Sequence, residues 1–523
     1  MPRPLVLVSA LGLLVAGLSL ADEVMEFDPA QYADVAARLL ERGDWLHLED
    51  LNGPFINKPP LMIWAQAAAM AVLGPTSVAA RLPALFFAVL AVLGTYLVGR
   101  TLKDARLGAV AAAFLACSVA VHHAVADPKV DLALMAMTTW AVFAFLSQRI
   151  LAGWLLTALA VLAKGPIGVV LVTFALVPEL VRETPSPPPG ARAGVLVRNV
   201  VAVALFAAVV VPFYAAQGPD AAFYLLWTQS FARVFGGSDF HDSTTPLYFL
   251  HTGSWALLPM TPLVIASLVR GFVKLRRERR LPADRRRVPV WWFALPFLVI
   301  SASSYKLPQY VYWLAPPAAL LAAEEVLRLS DTGLVRWRRV YAGLAIGAGV
   351  LGGFVLAVAF PPAGLQWLLA GGLILPLIAW AATRGQEAWL RVSALAATSG
   401  LGFLFLYTSW IHPSLLEFQP WREVAAQARE LPPSEPLVLV EVAPSNALSF
   451  YARRRLVPAT AEEIAARRPR VFVVSDAALA ALPGARSLIR LPTYPVSIPR
   501  GPFLRASTRE AQVKWVHVAS FDR

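Results

Sequence analysis

Residues 107–147 read LGAVAAAFLACSVAVHHAVADPKVDLALMAMTTWAVFAFLS. Two apolar runs, 107–125 and 130–147, flank a short polar break that contains Asp127-Pro128. Each run approaches the roughly 20 mostly apolar residues that carry a helix across a bilayer, and a proline marks where a helix stops. The stretch therefore predicts two membrane helices joined at one membrane face. Further runs lie near 4–21, 79–99, 151–163, 166–181, 196–215, 247–270, 290–303, 309–327, 340–359, 364–383 and 390–411. Together they make thirteen candidate spans. The runs 151–163 and 166–181 are short and separated by Ala163-Lys164-Gly165-Pro166, so they read as one broken helix or as a tight hairpin.

The whole chain agrees with this reading. It has 523 residues, of which 58% are hydrophobic and only 15% charged, with a mean hydropathy of +0.60. A soluble domain carries about a quarter charged residues, and a disordered chain is polar, so both classes are excluded. Cys117 is the single cysteine, which excludes a disulfide framework or a cysteine-built metal cage. From residue 412 onward the apolar runs shrink to strand length, as in Pro436 to Val442 and Val471 to Ser475. The expected architecture is an α-helical polytopic membrane domain, 1–411, followed by a small soluble α/β domain, 412–523.

The net charge of +13 sorts by loop. Residues 270–287, RGFVKLRRERRLPADRRR, carry nine basic and two acidic residues. Together with Arg3, 100–106, Arg149, 182–198, 328–339 and 384–391, the alternate connections hold +17, which leaves −4 for the rest of the chain. Excess Lys and Arg in alternate short loops is the positive-inside pattern. The charge is thus a topology signal rather than a nucleic-acid site. It puts 22–78, 124–129, 164–165, 216–246, 304–308 and the C-terminal domain on the outer face. Residues 1–21 fit a retained first helix, with a cleaved signal peptide as the alternative; residue 22 emerges outside in either case.

The outer face holds the ionisable residues that call for a reason. After Asp28-Pro29, the positions Tyr32, Val35, Ala36, Leu39 and Leu40 recur at spacings of three and four, an amphipathic helix at the membrane surface. Asp28 is placed to cap it, with Pro29 at its first position. In Leu51-Asn52-Gly53-Pro54-Phe55-Ile56-Asn57-Lys58-Pro59-Pro60-Leu61 two prolines fix the backbone behind a lysine. Asp127, Lys164 and Lys306 fall at the same depth, each close to a proline. A lone lysine at a helix end is commonly a snorkelling anchor. Three on the outer side, against the positive-inside bias, instead form a cation cluster suited to a phosphate-bearing lipid, with a carboxylate among them able to act as a base. His122-His123 point in different directions from one helix and read as an interfacial pair rather than a metal site.

These residues resemble a known family. The order Asp28-x-x-x-Tyr32-Ala33, Gly43-Asp44-Trp45, Leu51-Asn52-Gly53-Pro54-Phe55-x-Asn57-Lys58-Pro59-Pro60, Asp127-Pro128, Lys164-Gly165 and Lys306-Leu307-Pro308-x-Tyr310 is similar to the polyprenyl-phosphate-sugar glycosyltransferases of the GT-C fold, in the branch of the aminoarabinose lipid A transferases and protein O-mannosyltransferases. The resemblance covers most of 22–325 and fades through 340–411. It implies Asp28 as the catalytic carboxylate and Asp127 as the second acidic residue. It implies Lys58, Arg233 and Tyr310 as holders of the lipid phosphate, Lys164 and Lys306 as supporting cations, and Tyr32 as part of the donor site. The implied reaction is an inverting transfer of a sugar from a polyprenyl-phosphate donor to a lipid A-like or other envelope glycan, on the periplasmic side of a bacterial inner membrane.

The departures from the family pattern matter. Where that pattern has a metal pair, this chain has Asn57 and Ser230, so no structural zinc is expected there and no cofactor is implied; His241 and Asp242 leave a divalent metal as the alternative. The alternatives in function are a protein O-glycosyltransferase, a multi-spanning transporter or lipid flippase, and a non-catalytic scaffold. A transporter would place polar residues near the bilayer midplane and pair its broken helices between two halves, whereas here the ionisable residues gather at one face.

Overall fold

The computed structural model describes residues 2–181, 189–235, 245–278, 285–361, 374–432, 435–497 and 499–521. Among these, five helices are long and apolar enough to cross a membrane singly: Arg3–Ala21, Ser77–Leu102, Ala193–Ala216, Asp331–Val358 and Ala388–Leu416. A sixth span forms if Ala105–Ala116 and Val119–Ala126, bent by 46°, count as one. The opening stretch is thus a kinked element followed by the helix Val130–Leu146. Its break at Cys117-Ser118 is satisfied locally: the Ser118 hydroxyl accepts from the Val121 amide at 3.3 Å, and the Val119 amide donates to the Leu258 carbonyl at 3.0 Å. The chain is a multi-pass helical membrane protein with a small C-terminal sheet domain.

Ile150–Lys164 and Ile167–Leu180 form a hairpin rather than one broken helix. A Cβ placed on Gly168 would sit 2.7 Å from the backbone carbon of Ala160, whereas eight residues of continuous helix would separate them by about 12 Å. Gly165, at φ +79°, makes the reversal. It also leaves Lys164 at the tip of the first arm.

The basic loops meet at one end of the bundle. Arg106 lies 5.4 Å over the Trp389 ring, Arg391 and Arg338 lie 4.0 and 6.0 Å over Trp380, and Arg285 pairs with Glu179 at 3.5 Å. Arg270 forms an ion pair with Glu325 on the neighbouring helix. Among the described residues, the basic segments around 100–106, 270–287, 328–339 and 384–391 thus lie together.

At the opposite end the first outer segment is more structured than its sequence suggests. The amphipathic helix is present as Asp28–Arg42. Asp28, however, is its first residue and makes no capping bond with its side chain, which leaves the carboxylate available. Leu61–Leu73 forms a second helix, apolar and partly buried, inside what the span ruler reads as loop. Thirteen residues are too few for a membrane-length window, and Pro59-Pro60 hide its start.

The C-terminal sheet has strands β3 (Leu437–Val440), β4 (Leu456–Ala459), β5 (Phe472–Ser475), β6 (Ala485–Thr493) and β7 (Lys514–Phe521), after a two-strand ribbon β1 (Glu49–Asp50) and β2 (Gly53–Pro54) in the first outer segment. Its order is β4-β3-β5-β7-β6, parallel among β4, β3 and β5 and antiparallel beyond. The domain sits on the Asp28–Arg42 helix. The Ser449 hydroxyl donates to Asp34 at 2.7 Å, and Arg38 bridges Asp34 and Ser449 at 2.8 Å each. The Glu26 carboxylate accepts from the Ser445 hydroxyl at 2.7 Å and from the Ala447 and Asn446 amides at 3.0 and 3.1 Å. It caps the N-terminus of the helix Asn446–Ala452, where negative charge is favoured. Glu26 lies two residues before Asp28, so this cap anchors the segment that carries the carboxylate. Glu26→Ala should cost about 1–2 kcal/mol, read as a lower melting temperature in detergent and faster proteolysis of 22–28.

Candidate active site

Two cavities meet at the end of the bundle opposite the basic loops. The larger, of ≈ 850 Å³, is walled by polar side chains, including Asp28, Tyr32, Asp127, Lys129, Asp131 and His412. The smaller, of ≈ 190 Å³, is an apolar cleft between Ile167, Val170, Leu225, Phe231, Val299 and Ile300. Asn57, Lys58, Lys164, Gln229, Arg233, Tyr305 and Tyr310 line both and form the neck between them. Residues from four distant parts of the chain thus converge on one place.

Each neck residue is held by its neighbours. Lys58 Nζ donates to the Asn57 carbonyl at 3.0 Å and to Gln229 Oε1 at 3.5 Å, and Gln229 in turn donates to the Tyr224 hydroxyl at 2.8 Å. Gln229 belongs to a π-helical segment, Tyr224–Phe231, whose wider turn leads directly into Arg233; such segments are frequent at functional sites. Arg233 donates to the Tyr310 hydroxyl at 3.4 Å, and its guanidinium lies 5.0 Å from the Tyr305 ring centroid. Lys164 pairs with Asp131 at 2.5 Å and lies 4.9 and 4.6 Å from the rings of Tyr310 and Trp313. Trp313 Nε1 donates to the same Asp131 oxygen at 2.6 Å. Burial first, and then the Arg233 and Lys164 charges, bring the Lys58 ammonium down to about 7.

The large cavity holds the carboxylates. Asp127, 3% exposed, pairs with Lys129 at 2.8 Å through Oδ2, while its Oδ1 has no partner among the described residues. Burial pushes the Asp127 carboxyl up, but the nearby Lys129 and His123 more than offset that and hold it below the usual carboxylate range. Burial alone would lower Lys129; Asp127 and then Asp28 outweigh it and raise its ammonium above the ordinary lysine value. Asp28 has no side-chain hydrogen bond or ion pair among the described residues, although its charge acts on Tyr32, Lys58 and Lys129. Tyr32 is 2% exposed, with its ring edge-on to Phe55 at 6.1 Å.

Of the residues singled out from sequence, Asp28, Asp127, Lys58, Arg233, Tyr310, Lys164 and Tyr32 all line this site. Lys306 does not: it lines neither cavity and donates to the Ser303 carbonyl at 2.5 Å. His122 also turns away, with Nδ1 2.9 Å from the Ser118 carbonyl, whereas His123 lines the large cavity. Lys129, Asp131, Gln229, Tyr305 and His412 were not anticipated. Two of them had a signal: Lys129 is another outer-face cation beside a proline, and Asp131 is a carboxylate at the edge of an apolar span.

Among the described residues, positions 57 and 230 do not suit a metal ion. At the two positions where the family has its metal pair, Asn57 and Ser230 offer a neutral amide and a hydroxyl, surrounded by Lys58, Lys164 and Arg233. Among the described residues no three His, Cys, Asp or Glu side chains converge. His241 and Asp242 lie outside the described residues.

Comparison with known proteins places this geometry. Residues 57–211 match the family described as dolichyl-phosphate-mannose-protein mannosyltransferase. The chain is 26% identical over 353 residues to the undecaprenyl phosphate-alpha-4-amino-4-deoxy-L-arabinose arabinosyl transferase of Erwinia tasmaniensis, covering 65% of this chain and 62% of that protein. It is 25% identical over 313 residues to arabinosyl transferase 2 of Proteus mirabilis, covering 57% of this chain and 54% of that protein. The match therefore spans less than two thirds of those relatives. The crystal structure of ArnT from Cupriavidus metallidurans bound to undecaprenyl phosphate superimposes with a TM-score of 0.75 at 20% identity, covering 98% of this chain and 97% of that one. This chain has the GT-C fold of the polyprenyl-phosphate-sugar glycosyltransferases and is similar in sequence to their aminoarabinose-transferring branch.

Proposed function

We propose that the protein transfers a sugar from a polyprenyl-phosphate donor to a lipid A-like or other envelope glycan, at the periplasmic face of the bacterial inner membrane. The observation that carries this reading is the neck, where cationic and hydroxyl side chains stand between an apolar cleft and a polar cavity. A polyprenyl tail suits the cleft, its phosphate suits Lys58, Arg233 and Tyr310, and the sugar then projects into the cavity with Asp28. In the reaction an acceptor hydroxyl oxygen bonds to the anomeric carbon as the carbon–oxygen bond to phosphate breaks. The proton passes to Asp28, and the cations take the charge on the leaving polyprenyl phosphate. One displacement inverts the anomeric centre. Lys164, already paired with Asp131, supports the phosphate field, whereas Lys58 holds no carboxylate among the described residues and is the cation that takes the phosphate.

The similar arabinosyl transferases supply the probe. Purified protein given undecaprenyl-phosphate-linked 4-amino-4-deoxy-arabinose and lipid A should release undecaprenyl phosphate and form a glycoside of inverted configuration. Movement of intact donor across a vesicle membrane without cleavage would instead make the protein a flippase.

A further inference from the structure

His412 has no task in that reaction, yet its surroundings are built. It is 2% exposed and lines the large cavity but not the apolar cleft. Its Nδ1 lies 2.7 Å from Asp22 Oδ2, and its Nε2 is buried without a partner among the described residues. A carboxylate on Nδ1 makes that nitrogen the proton donor and leaves the Nε2 lone pair as an acceptor in the neutral ring. Asp22 itself is fixed: the fully buried Arg81 guanidinium donates to the Asp22 and Glu23 carbonyls and, at 3.2 Å, to the Ala126 carbonyl. The Tyr407 ring lies 5.6 Å from His412 and stacks on His123 at 6.4 Å, an aromatic wall of the kind a sugar face covers.

This wall differs in chemistry from the neck. The cations here are already engaged: Arg81 holds the Asp22, Glu23 and Ala126 carbonyls, and Lys129 holds Asp127. Buried here without a partner among the described residues are Nε2 of His412, Oδ1 of Asp127 and Nδ1 of His123; the first two are able to accept a hydrogen bond. A buried acceptor without a partner is costly, and a hydroxyl-bearing ligand would satisfy it where a phosphate would not. The donor's lipid and phosphate suit the cleft and the neck, and its sugar stands beside Asp28, whose charge acts on Tyr32, Lys58 and Lys129; the His412 wall is left for the second molecule that the cavity admits.

Building on the glycosyltransferase reading, we propose that His412, held in one tautomer by Asp22, receives a hydroxyl group of the acceptor glycan and sets acceptor specificity. Asp22 is its positioning residue. The test uses full-length protein in detergent with the aminoarabinose-linked donor above, measuring both slow donor hydrolysis by water and transfer to lipid A. His412→Phe should raise the KM for lipid A about tenfold, the factor one neutral hydrogen bond supplies, with donor KM and donor hydrolysis within twofold of wild type. His412→Gln, whose amide oxygen can take the place of Nε2, should recover most of that loss; a merely structural role would not distinguish the two variants in this way. An unchanged lipid A KM in His412→Phe, or an equal rise in donor KM, overturns the proposal. Wild-type protein that neither hydrolyses nor transfers the donor overturns the glycosyltransferase reading itself, a result readily told apart from the other two.

Discussion

Asp28→Asn should lower the turnover number for sugar transfer about a thousandfold, within the range of roughly 10²–10⁴ that a positioned base contributes, and leave the protein folded and able to bind its donor. The reason for expecting both results is the bareness of Asp28. It begins the Asp28–Arg42 helix without capping it, and its carboxylate makes no hydrogen bond or ion pair among the described residues. Replacing it by the isosteric amide breaks no contact, so stability should change by about 0.5 kcal/mol or less. The effect should then lie in turnover and not in donor KM. Asp127 is a poorer test of chemistry. Asp127→Asn strips the half-buried Lys129 of its charged partner at 2.8 Å, and breaking a buried pair costs up to about 3–5 kcal/mol. Loss of activity there would mix unfolding with catalysis. If Asp28→Asn keeps near-wild-type turnover, the assignment of the base is wrong.

The contrast between these two aspartates shows what the sequence could convey. Long apolar runs, loop charges and the amphipathic spacing of 30–42 are local patterns, and from them follow the bundle, the grouping of its basic loops and the Asp28–Arg42 helix, whose burial under the C-terminal domain they do not convey. The partner of a buried ion is not local. Asp131 and Lys164 lie 33 residues apart and meet because the turn at 147–149 folds Ile150–Lys164 back along the Val130–Leu146 helix, which returns Lys164 to the start of that helix. Lys58 and Lys306 look alike on paper, each followed closely by proline on the outer face. Lys58 enters the neck, while Lys306 turns to the Ser303 carbonyl because 304–305 are fastened to the backbone of 233–234, with the Tyr305 amide donating to the Arg233 carbonyl at 3.2 Å. That fastening places Tyr305 in the site in its stead. The docking of the C-terminal domain through Glu26, Asp34 and Asp22 was equally hidden, since its partners are some 400 residues away in the chain.

Donor affinity should fall as pH rises above about 7, by up to about tenfold per pH unit, and Lys58 should be the cause. Burial and the neighbouring Arg233 and Lys164 charges hold the Lys58 ammonium at about 7, so at pH 8 most molecules carry it neutral. A phosphate anion in the neck favours the charged form and raises that value. Binding then takes up a proton throughout the interval between the two values, and affinity drops with each step in pH across it. The sugar-linked donor is the right probe: its phosphodiester keeps a single negative charge over this range, whereas undecaprenyl phosphate titrates near neutrality on its own account, and titration of the sugar's amine is common to wild type and variants and drops out of their comparison. Lys58→Arg should flatten the profile because guanidinium stays charged. Lys58→Met should flatten it too, and weaken binding at pH 6 by about 10–150-fold, the value of one charge-assisted hydrogen bond. Unfolding cannot imitate this result. The Lys58 value in the folded protein lies below the ordinary 10.5 of the unfolded chain, so between about 7 and 10.5 the unfolded chain binds more protons, and this residue's contribution to stability rises with pH while donor affinity falls. A steep profile that survives in Lys58→Met would place the titrating group elsewhere.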